Sequence, residues 1–203
     1  GREDITAARV AWELEGDLGA DHVISIDLHN PAIQGFFRSA QIENLQGSHV
    51  LIPYIAKEIK KKADTVVTST DLGGAKRANY YANSLNCCVA FTFKTRDYHK
   101  ANTVENMQIL GDVKDKTVYI VDDMIDTAGT LCRAIELAHK KGAKEIIGVT
   151  TFALLNNDAL KKLKRLQKNK LLKRLICTDA SYIPSKILRS NSWIKVVSVG
   201  EYF

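Results

Sequence analysis

Residues 118–130 have the sequence Val118-Tyr119-Ile120-Val121-Asp122-Asp123-Met124-Ile125-Asp126-Thr127-Ala128-Gly129-Thr130. The stretch begins as an apolar run, typical of a strand buried on both faces, and continues into small and hydroxyl-bearing residues. Backbone N–H groups at a helix N-terminus can bind a phosphate, and Thr127 and Thr130 can add hydroxyl donors. Gly129 lets the backbone come close to a ligand. The sequence therefore predicts a strand, an anion-binding loop and a helix, in that order.

Two acidic residues lie at the end of the predicted strand. Asp122 and Asp123 are hydrogen-bond acceptors, so they can hold the vicinal hydroxyls of a sugar whose phosphate lies in the loop. Taken singly, an Asp at a strand end or a Thr at a helix start is a common cap. The whole combination favours binding of phosphate and sugar by one continuous segment.

Apolar runs alternate with helical patterns along the rest of the chain. Strands are predicted at residues 23–26, 65–68, 88–93, 118–121, 146–151 and 196–199, and helices at 5–18, 50–61, 75–85, 130–141 and 159–168. Most of these strands are continuously apolar. The pattern predicts an α/β fold with a mostly parallel, doubly wound sheet. Residues 1–203 are predicted to form a single catalytic domain, and the abrupt ends suggest a fragment of a longer protein.

Composition restricts the class of protein further. The chain of 203 residues is 45% hydrophobic, which is enough for a sizeable core. No apolar run approaches the roughly 20 residues that span a bilayer, and no secretory signal is recognisable at the N-terminus, so a cytoplasmic location without membrane contact is expected. The four cysteines show no metal-type spacing and are expected to be reduced core thiols: Cys87, Cys88, Cys132 and Cys177.

The formal net charge of +6 is concentrated in one segment. Residues 161–174 contain eight basic residues and no acidic one, so the rest of the chain is slightly acidic without them. Leucines at near-helical spacing interrupt these charges: Leu160, Leu163, Leu166, Leu171, Leu172 and Leu175. A core-facing stripe beneath a solvated basic face is favoured, and a helix that contacts RNA or a membrane is the alternative. A nucleic-acid partner is not expected.

Residues 122–130 closely resemble the phosphoribosyl diphosphate loop that phosphoribosyltransferases and ribose-phosphate diphosphokinases share. The resemblance implies a sheet of the type I phosphoribosyltransferase kind and places the ribose hydroxyls on Asp122 and Asp123. The residues that would wrap the 5-phosphate are Asp126, Thr127, Ala128, Gly129 and Thr130. The loop alone does not separate the two kinds of enzyme.

Three further segments resemble the diphosphokinases. Residues 27–37 are similar to a segment that carries a histidine contacting magnesium and ATP, here His29. Asp71, before a Gly-Gly turn, matches a metal and substrate ligand of the family. Lys94 and Arg96, followed by a polar run, match its catalytic loop, and Arg96 also contacts substrate in the family. The chain departs from the family's pattern at Leu72 and in residues 151–155.

The diphosphokinase resemblance implies that the β,γ-diphosphoryl group of ATP is transferred to the C1 hydroxyl of ribose 5-phosphate. His29 and Asp71 would bind Mg²⁺, while Lys94 and Arg96 would stabilise the charge that spreads in the transition state. A homo-oligomer, commonly a hexamer, with phosphate and ADP as regulators, is implied as well. Two alternatives are a phosphoribosyltransferase, which the His29 segment disfavours, and a non-catalytic regulatory homologue, which the intact motifs disfavour.

Overall fold

The structure is a computed structural model and describes residues 5–95, 106–200 and 202. The chain divides into two compact units, Gly1–Gly47 and Ser48–Phe203. The single-domain organisation of residues 1–203 stays a prediction. Among the described residues, no helix combines the length and the apolarity needed to cross a membrane.

Within residues 5–47, the first unit contains one α-helix and a small parallel sheet. Its regular elements are α1 (Thr6–Trp12), which continues as a π-helical segment at Glu13–Asp17, β1 (His22–Ile26), a 3₁₀ segment (Pro31–Phe36) and β2 (Gln41–Leu45). Strands β1 and β2 pair in parallel. The Glu15 carboxylate accepts the backbone N–H groups of Arg38, Ser39 and Ala40, and these bonds lower its pKa to about 2.

The described part of the second unit contains eight strands. They are β3 (Thr65–Ser69), β4 (Cys88–Val89), β5 (Phe91–Thr95), β6 (Asn106–Leu110), β7 (Thr117–Ile125), β8 (Glu145–Ala153), β9 (Arg174–Thr178) and β10 (Ile194–Val197). Six of them form a parallel sheet in the order β10-β9-β8-β7-β3-β4. Strands β5 and β6 pair antiparallel as a separate two-stranded ribbon, called here the β5–β6 ribbon.

Helices cover both faces of the six-stranded sheet. The helices of this unit are α2 (Ser48–Ala56), α3 (Ala75–Leu85), α4 (Gly129–Lys140), α5 (Ala159–Lys168) and α6 (Ser185–Ser190). Neighbouring strand residues such as Val118 and Tyr119 enter two different apolar clusters, one with α4 and α5 and the other with α2 and α3. Successive side chains of a strand point to opposite faces, so the sheet is doubly wound, which confirms the predicted fold class.

Several predicted elements need correction. The run at residues 88–93 is not one strand, because the chain leaves the six-stranded sheet after β4 and enters the ribbon at β5. Strands β2, β6 and β9 were not predicted. Leu163 and Leu166 are buried beneath an exposed basic face of α5, as expected, but Leu171, Leu172 and Leu175 do not continue that helix. Lys170 takes a left-handed conformation with φ of 60° beyond the helix end, and Leu175 belongs to β9.

The expectation of core thiols holds for two of the four free cysteines. Cys132 and Cys177 are buried, and burial raises the pKa of the Cys177 thiol to about 12. Cys87 is half-buried and Cys88 is exposed. The exposure of Cys88 follows from the position of β4 at the edge of the sheet.

Candidate functional site

The carboxylates of Asp122 and Asp123 lie near the carboxyl end of β7. Thr70 donates its hydroxyl to Asp122 Oδ2 at 2.7 Å, and the Asp123 N–H donates to Asp122 Oδ1 at 2.9 Å. Asp123 is only 6% exposed, and its Oδ1 accepts the Met124 N–H at 3.0 Å. Both side chains are therefore fixed in orientation before any ligand binds.

A guanidinium group spans the two carboxylates. Arg77, near the start of α3, places Nη1 at 3.6 Å from Asp122 Oδ1 and Nη2 at 3.5 Å from Asp123 Oδ2. All three side chains are largely buried, so the charges interact more strongly than they would at the surface. Arg77 partly neutralises a pair of like charges that would otherwise repel each other.

Burial raises the pKa of Asp122 above the usual range of an aspartic acid. The neighbouring Asp123 raises the pKa further, by a hydrogen bond between the two carboxyl side chains and by charge repulsion, while the Thr70 hydroxyl and Arg77 act in the opposite direction. Displaced pKa values of this kind are concentrated at functional sites, although structural ion pairs also produce them. The pair thus combines a carboxyl group that is costly to ionise with fixed hydrogen-bond acceptors.

The phosphate loop, residues 126–130, connects β7 to α4. Ala128 is buried and takes a left-handed conformation with φ of 59°, and α4 begins at the next residue. The Ala128 side chain cannot cap the helix, so amides of the first turn of α4 lack a side-chain partner from that position. These amides and the positive end of the helix dipole are suited to an anion.

Asp126 differs from the other loop residues in what its side chain can do. A carboxylate and a phosphate are both acceptors, so they cannot hydrogen-bond each other directly unless one is protonated. The Asp126 carboxylate instead accepts the Asn156 amide at 2.7 Å. Its backbone N–H is the only group through which Asp126 could donate to a phosphate.

Asp71 follows β3, which lies next to β7 in the sheet. Its Oδ1 accepts the Gly74 N–H at 3.3 Å and caps a short 3₁₀ turn, Leu72–Gly74. A Cβ at Gly74 would lie 2.8 Å from the Ser69 Cβ, so the turn has no room for a side chain there. Carboxyl ends of neighbouring parallel strands meet at one edge, which puts Asp71 at the same edge of the sheet as Asp122 and Asp123.

Of the two predicted catalytic cations, one falls in the described part of the chain. Lys94 lies on β5, opposite Met107 of β6, and is exposed. The base of β5 is joined to β3 by a buried hydrogen bond of 3.0 Å between the Thr92 and Thr68 hydroxyls. Arg96 lies outside the described residues.

His29 belongs to the first unit, in an exposed turn after β1. Its neighbours are well anchored: the Leu28 N–H donates to Asn44 Oδ1 at 3.0 Å, and Asp27 Oδ2 accepts the Gly47 N–H at 3.2 Å. Over residues 5–95, 106–200 and 202, no cluster of three or more His, Cys, Asp or Glu side chains is placed to hold a metal ion.

The family described as "Phosphoribosyl transferase domain" matches residues 39–183, which include β7 and the phosphate loop. The chain belongs to this family. The predicted resemblance to ribose-phosphate diphosphokinases is also confirmed, because curated relatives of that name match the whole length of the chain. A "Ribose-phosphate pyrophosphokinase" of Caldanaerobacter subterraneus is 40% identical over 203 residues, which are 100% of this chain and 60% of the relative. One of Clostridium acetobutylicum is 38% identical over 202 residues, again 100% of this chain and 60% of the relative.

A solved structure has the same fold as this chain. Phosphoribosylpyrophosphate synthetase from Mycobacterium smegmatis superimposes with a TM-score of 0.79 at 32% identity, covering 100% of this chain and 62% of that one. The chain therefore spans about three fifths of the length of these relatives.

Two polar side chains of this candidate site were not singled out from the sequence. Thr70 and Arg77 both contact Asp122, and Thr70 is 52 positions away from it in the chain. The parallel register that pairs Ser69 with Val121 brings the following residues, Thr70 and Asp122, side by side. A signal for Arg77 did exist, since it follows the Gly-Gly turn within the first turn of α3.

Proposed function

We propose that this chain is part of a ribose-phosphate diphosphokinase, which transfers the β,γ-diphosphoryl group of ATP to the C1 hydroxyl of ribose 5-phosphate. The observation that carries the proposal is the continuity of β7, its oriented carboxylates and the phosphate loop in one segment. Relatives named ribose-phosphate pyrophosphokinase, 38–40% identical over the whole chain, support the choice of reaction.

In this proposal the sugar is bound by acceptors and its phosphate by donors. Asp122 and Asp123 accept the ribose hydroxyls, and the amides of residues 126–130, with the Thr127 and Thr130 hydroxyls, bind the 5-phosphate. The C1 hydroxyl then attacks the β-phosphorus of ATP, AMP leaves with the electron pair of the broken P–O bond, and the hydroxyl proton passes to solvent. Ribose 5-phosphate is held in place before the reaction, which removes much of the entropic part of the barrier.

Lys94 and Arg96 supply positive charge in the proposed reaction. Phosphoryl-type transfer needs little covalent work from the protein, and most of the rate comes from position and from charge stabilisation. Because Lys94 lies on the β5–β6 ribbon and not on the six-stranded sheet, we assign it to the transition state and not to ribose binding.

Magnesium is proposed as the metal, with Asp71 and His29 as its protein ligands. Mg²⁺ prefers oxygen ligands and is commonly bound through one or two carboxylates together with substrate phosphates. The Asp71 carboxylate fits this role because a single backbone N–H fixes its orientation. A bound Mg²⁺ would neutralise charge on the phosphate oxygens.

Three further parts of the proposal come from the resemblance to the family. They are assembly into a homo-oligomer, specifically a hexamer, control by phosphate and ADP, and a cytoplasmic location. Sedimentation of the protein at several concentrations, with and without ADP, tests the first two together.

The activity is tested by incubating the protein with MgATP and ribose 5-phosphate and following the products by mass spectrometry. We expect AMP and phosphoribosyl diphosphate in equal amounts, and the loss of both in an Asp122→Ala variant. Production of phosphoribosyl nucleotides from phosphoribosyl diphosphate and a base, without AMP formation from ATP, would replace the proposal by a transferase. Binding of ribose 5-phosphate without any AMP would replace it by a non-catalytic homologue.

A further inference from the structure

Three consecutive residues where β7 passes into the phosphate loop, residues 125–127, are bound by one neighbouring segment, residues 155–162. The Leu155 N–H donates to the Ile125 carbonyl at 3.1 Å, and the Asn156 amide donates to Asp126 Oδ1 at 2.7 Å. Lys162 Nζ then donates to the Thr127 carbonyl at 3.1 Å. A backbone group, a neutral side chain and a charged side chain of one segment thus bind residues 125, 126 and 127 in turn.

The backbone of this segment is strained around the asparagine. Leu155 and Asn157 both have left-handed conformations, with φ of 53° and 52°. A branched residue such as Leu rarely adopts this conformation, and residues held in it tend to occur at functional sites. Asn adopts this conformation readily, so the strain lies at Leu155, directly before Asn156, where the surrounding structure must maintain it.

Lys162 differs from the other basic residues of α5. It is half-buried, whereas Lys161, Lys164 and Lys168 are exposed. Its neighbour Leu163 is fully buried, so the helix that carries Lys162 is anchored in the core. The basic segment therefore includes one cation directed at the loop, in addition to the solvated charges of its outer face.

We propose that Asn156 and Lys162 are positioning residues that fix the phosphate loop in its ligand-binding conformation. This inference rests on the proposed ribose 5-phosphate site. Neither residue is assigned a contact with the sugar phosphate; both act through residues 126 and 127 of the loop.

The contacts have two physical consequences for an anion in the loop. The hydrogen bond from Asn156 holds the Asp126 carboxylate. Without this bond, the negatively charged carboxylate would be freer to turn toward the phosphate, which it would repel. Lys162 places a positive charge behind the Thr127 carbonyl and restrains the peptide unit whose neighbouring amides face the anion. A loop that is already ordered loses less conformational entropy when it binds a ligand.

The test compares variants that differ only in contact with the loop. Lys162→Met and Lys164→Met remove the same charge from the same helix, but Lys164 has no hydrogen bond or ion pair with the described residues. The dissociation constant of ribose 5-phosphate is measured by calorimetry without ATP, and amide hydrogen exchange of residues 127–130 is measured in the absence of ligand. Asn156→Ala and Lys162→Arg are measured in the same way.

We expect Lys162→Met and Asn156→Ala to weaken ribose 5-phosphate binding by about three- to tenfold, the range for loss of one hydrogen bond. Exchange of the loop amides should become faster in both, kcat at saturating substrate should change less than twofold, and Lys162→Arg should restore binding. Lys164→Met should resemble the unmodified protein.

Two results would overturn the inference. One is equal weakening by Lys162→Met and Lys164→Met, which would indicate a general charge effect. The other is unchanged binding and unchanged loop exchange in both Lys162→Met and Asn156→Ala. If the unmodified protein binds ribose 5-phosphate but makes no AMP, the proposed reaction fails, while a selective effect of Lys162→Met on binding still supports the positioning role.

Discussion

The carboxyl edge of the six-stranded sheet and the β5–β6 ribbon differ in how firmly they hold their functional side chains. The edge stands on strands that are buried on both faces, and the Asp122 and Asp123 carboxylates are fixed by a hydroxyl, backbone amides and Arg77. In the residues that the structure describes, the ribbon consists of two strands, and Lys94 on it is exposed. Two-stranded sheets are marginally stable by themselves, whereas groups on a packed sheet are held with little freedom.

In the proposed function, the two regions have separate tasks that match this difference. A preformed set of acceptors and amides is suited to binding a sugar phosphate in one orientation. A cation on a thin ribbon can be brought to the reacting phosphates when charge develops there. Variants of the two regions should therefore fail in different measurements.

The largest expected effect comes from the ribbon. Lys94→Ala should lower kcat by about 100-fold or more, the size seen when a charge-stabilising donor is removed, and should leave the dissociation constant of ribose 5-phosphate within about twofold. Steady-state kinetics and calorimetry measure the two quantities. Lys140→Ala, which removes an exposed lysine at the end of α4, is the control and should change neither. If Lys94→Ala weakened ribose 5-phosphate binding by as large a factor as it lowered kcat, Lys94 would not act mainly in the transition state.

A smaller effect, on stability, is expected when a side chain is added in the turn that follows β3. Gly74→Ala would place a Cβ 2.8 Å from the Ser69 Cβ, so we expect the free energy of unfolding to fall by about 1–3 kcal/mol. Gly35→Ala is the control for the substitution itself, since no atom lies within 4 Å of the position that its new Cβ would occupy. Thermal unfolding followed by circular dichroism measures both. Equal melting temperatures of the two variants would show that the backbone around Gly74 and Ser69 shifts to accept the new Cβ at little cost in stability.

The smallest effect concerns the charge of Asp122. Its pKa is raised in the folded protein, so the folded state is most stable below the pKa of the unfolded chain and loses stability as pH rises through the raised pKa. Asp122→Asn removes this loss. Its melting temperature relative to the unmodified protein should therefore increase from pH 5 to pH 8, by about 2–4 °C for each kcal/mol involved.

Asp112→Asn serves as the matched control for Asp122→Asn. A hydrogen bond from the Lys116 ammonium lowers the pKa of Asp112, so this carboxyl group is ionised in both the folded and the unfolded protein throughout pH 5–8, and the melting temperature of Asp112→Asn relative to the unmodified protein should stay constant over this range. If the melting temperature of Asp122→Asn relative to the unmodified protein did not change between pH 5 and pH 8, burial would not raise the pKa of this carboxyl group as inferred.

The parts of the fold that were predicted correctly have strong local signals. Helices α3 and α5 were predicted with their observed bounds, 75–85 and 159–168. Helix α3 begins after a Gly-Gly turn and ends before Asn86, which takes the left-handed conformation that favours Asn. The strand, loop and helix order of residues 117–140 was predicted for the same reason, because an apolar run leads into residues that suit a helix start.

The missed strands depend on partners distant in the sequence. Strand β6 is polar at two of its five positions and is specified by its pairing with β5, while β2 is specified by its pairing with β1. The pattern of residues within one segment does not show which other strand it will pair with. The roles of Thr70 and Arg77 were missed for a related cause, since their contacts with Asp122 require knowing that β3 and β7 are neighbours. The roles of Lys94, Arg96, His29 and Asp71 stay predictions.

The lengths of the strands limit how this protein can associate with others. In the described part of the chain the two nine-residue strands, β7 and β8, occupy the middle of the sheet, and the edges are β4 with two residues and β10 with four. Short edge strands present few unpaired backbone groups to an incoming strand, which is how many proteins avoid edge-to-edge aggregation. Association of copies through this unit should therefore use helices, loops and side-chain surfaces, and not extension of the six-stranded sheet.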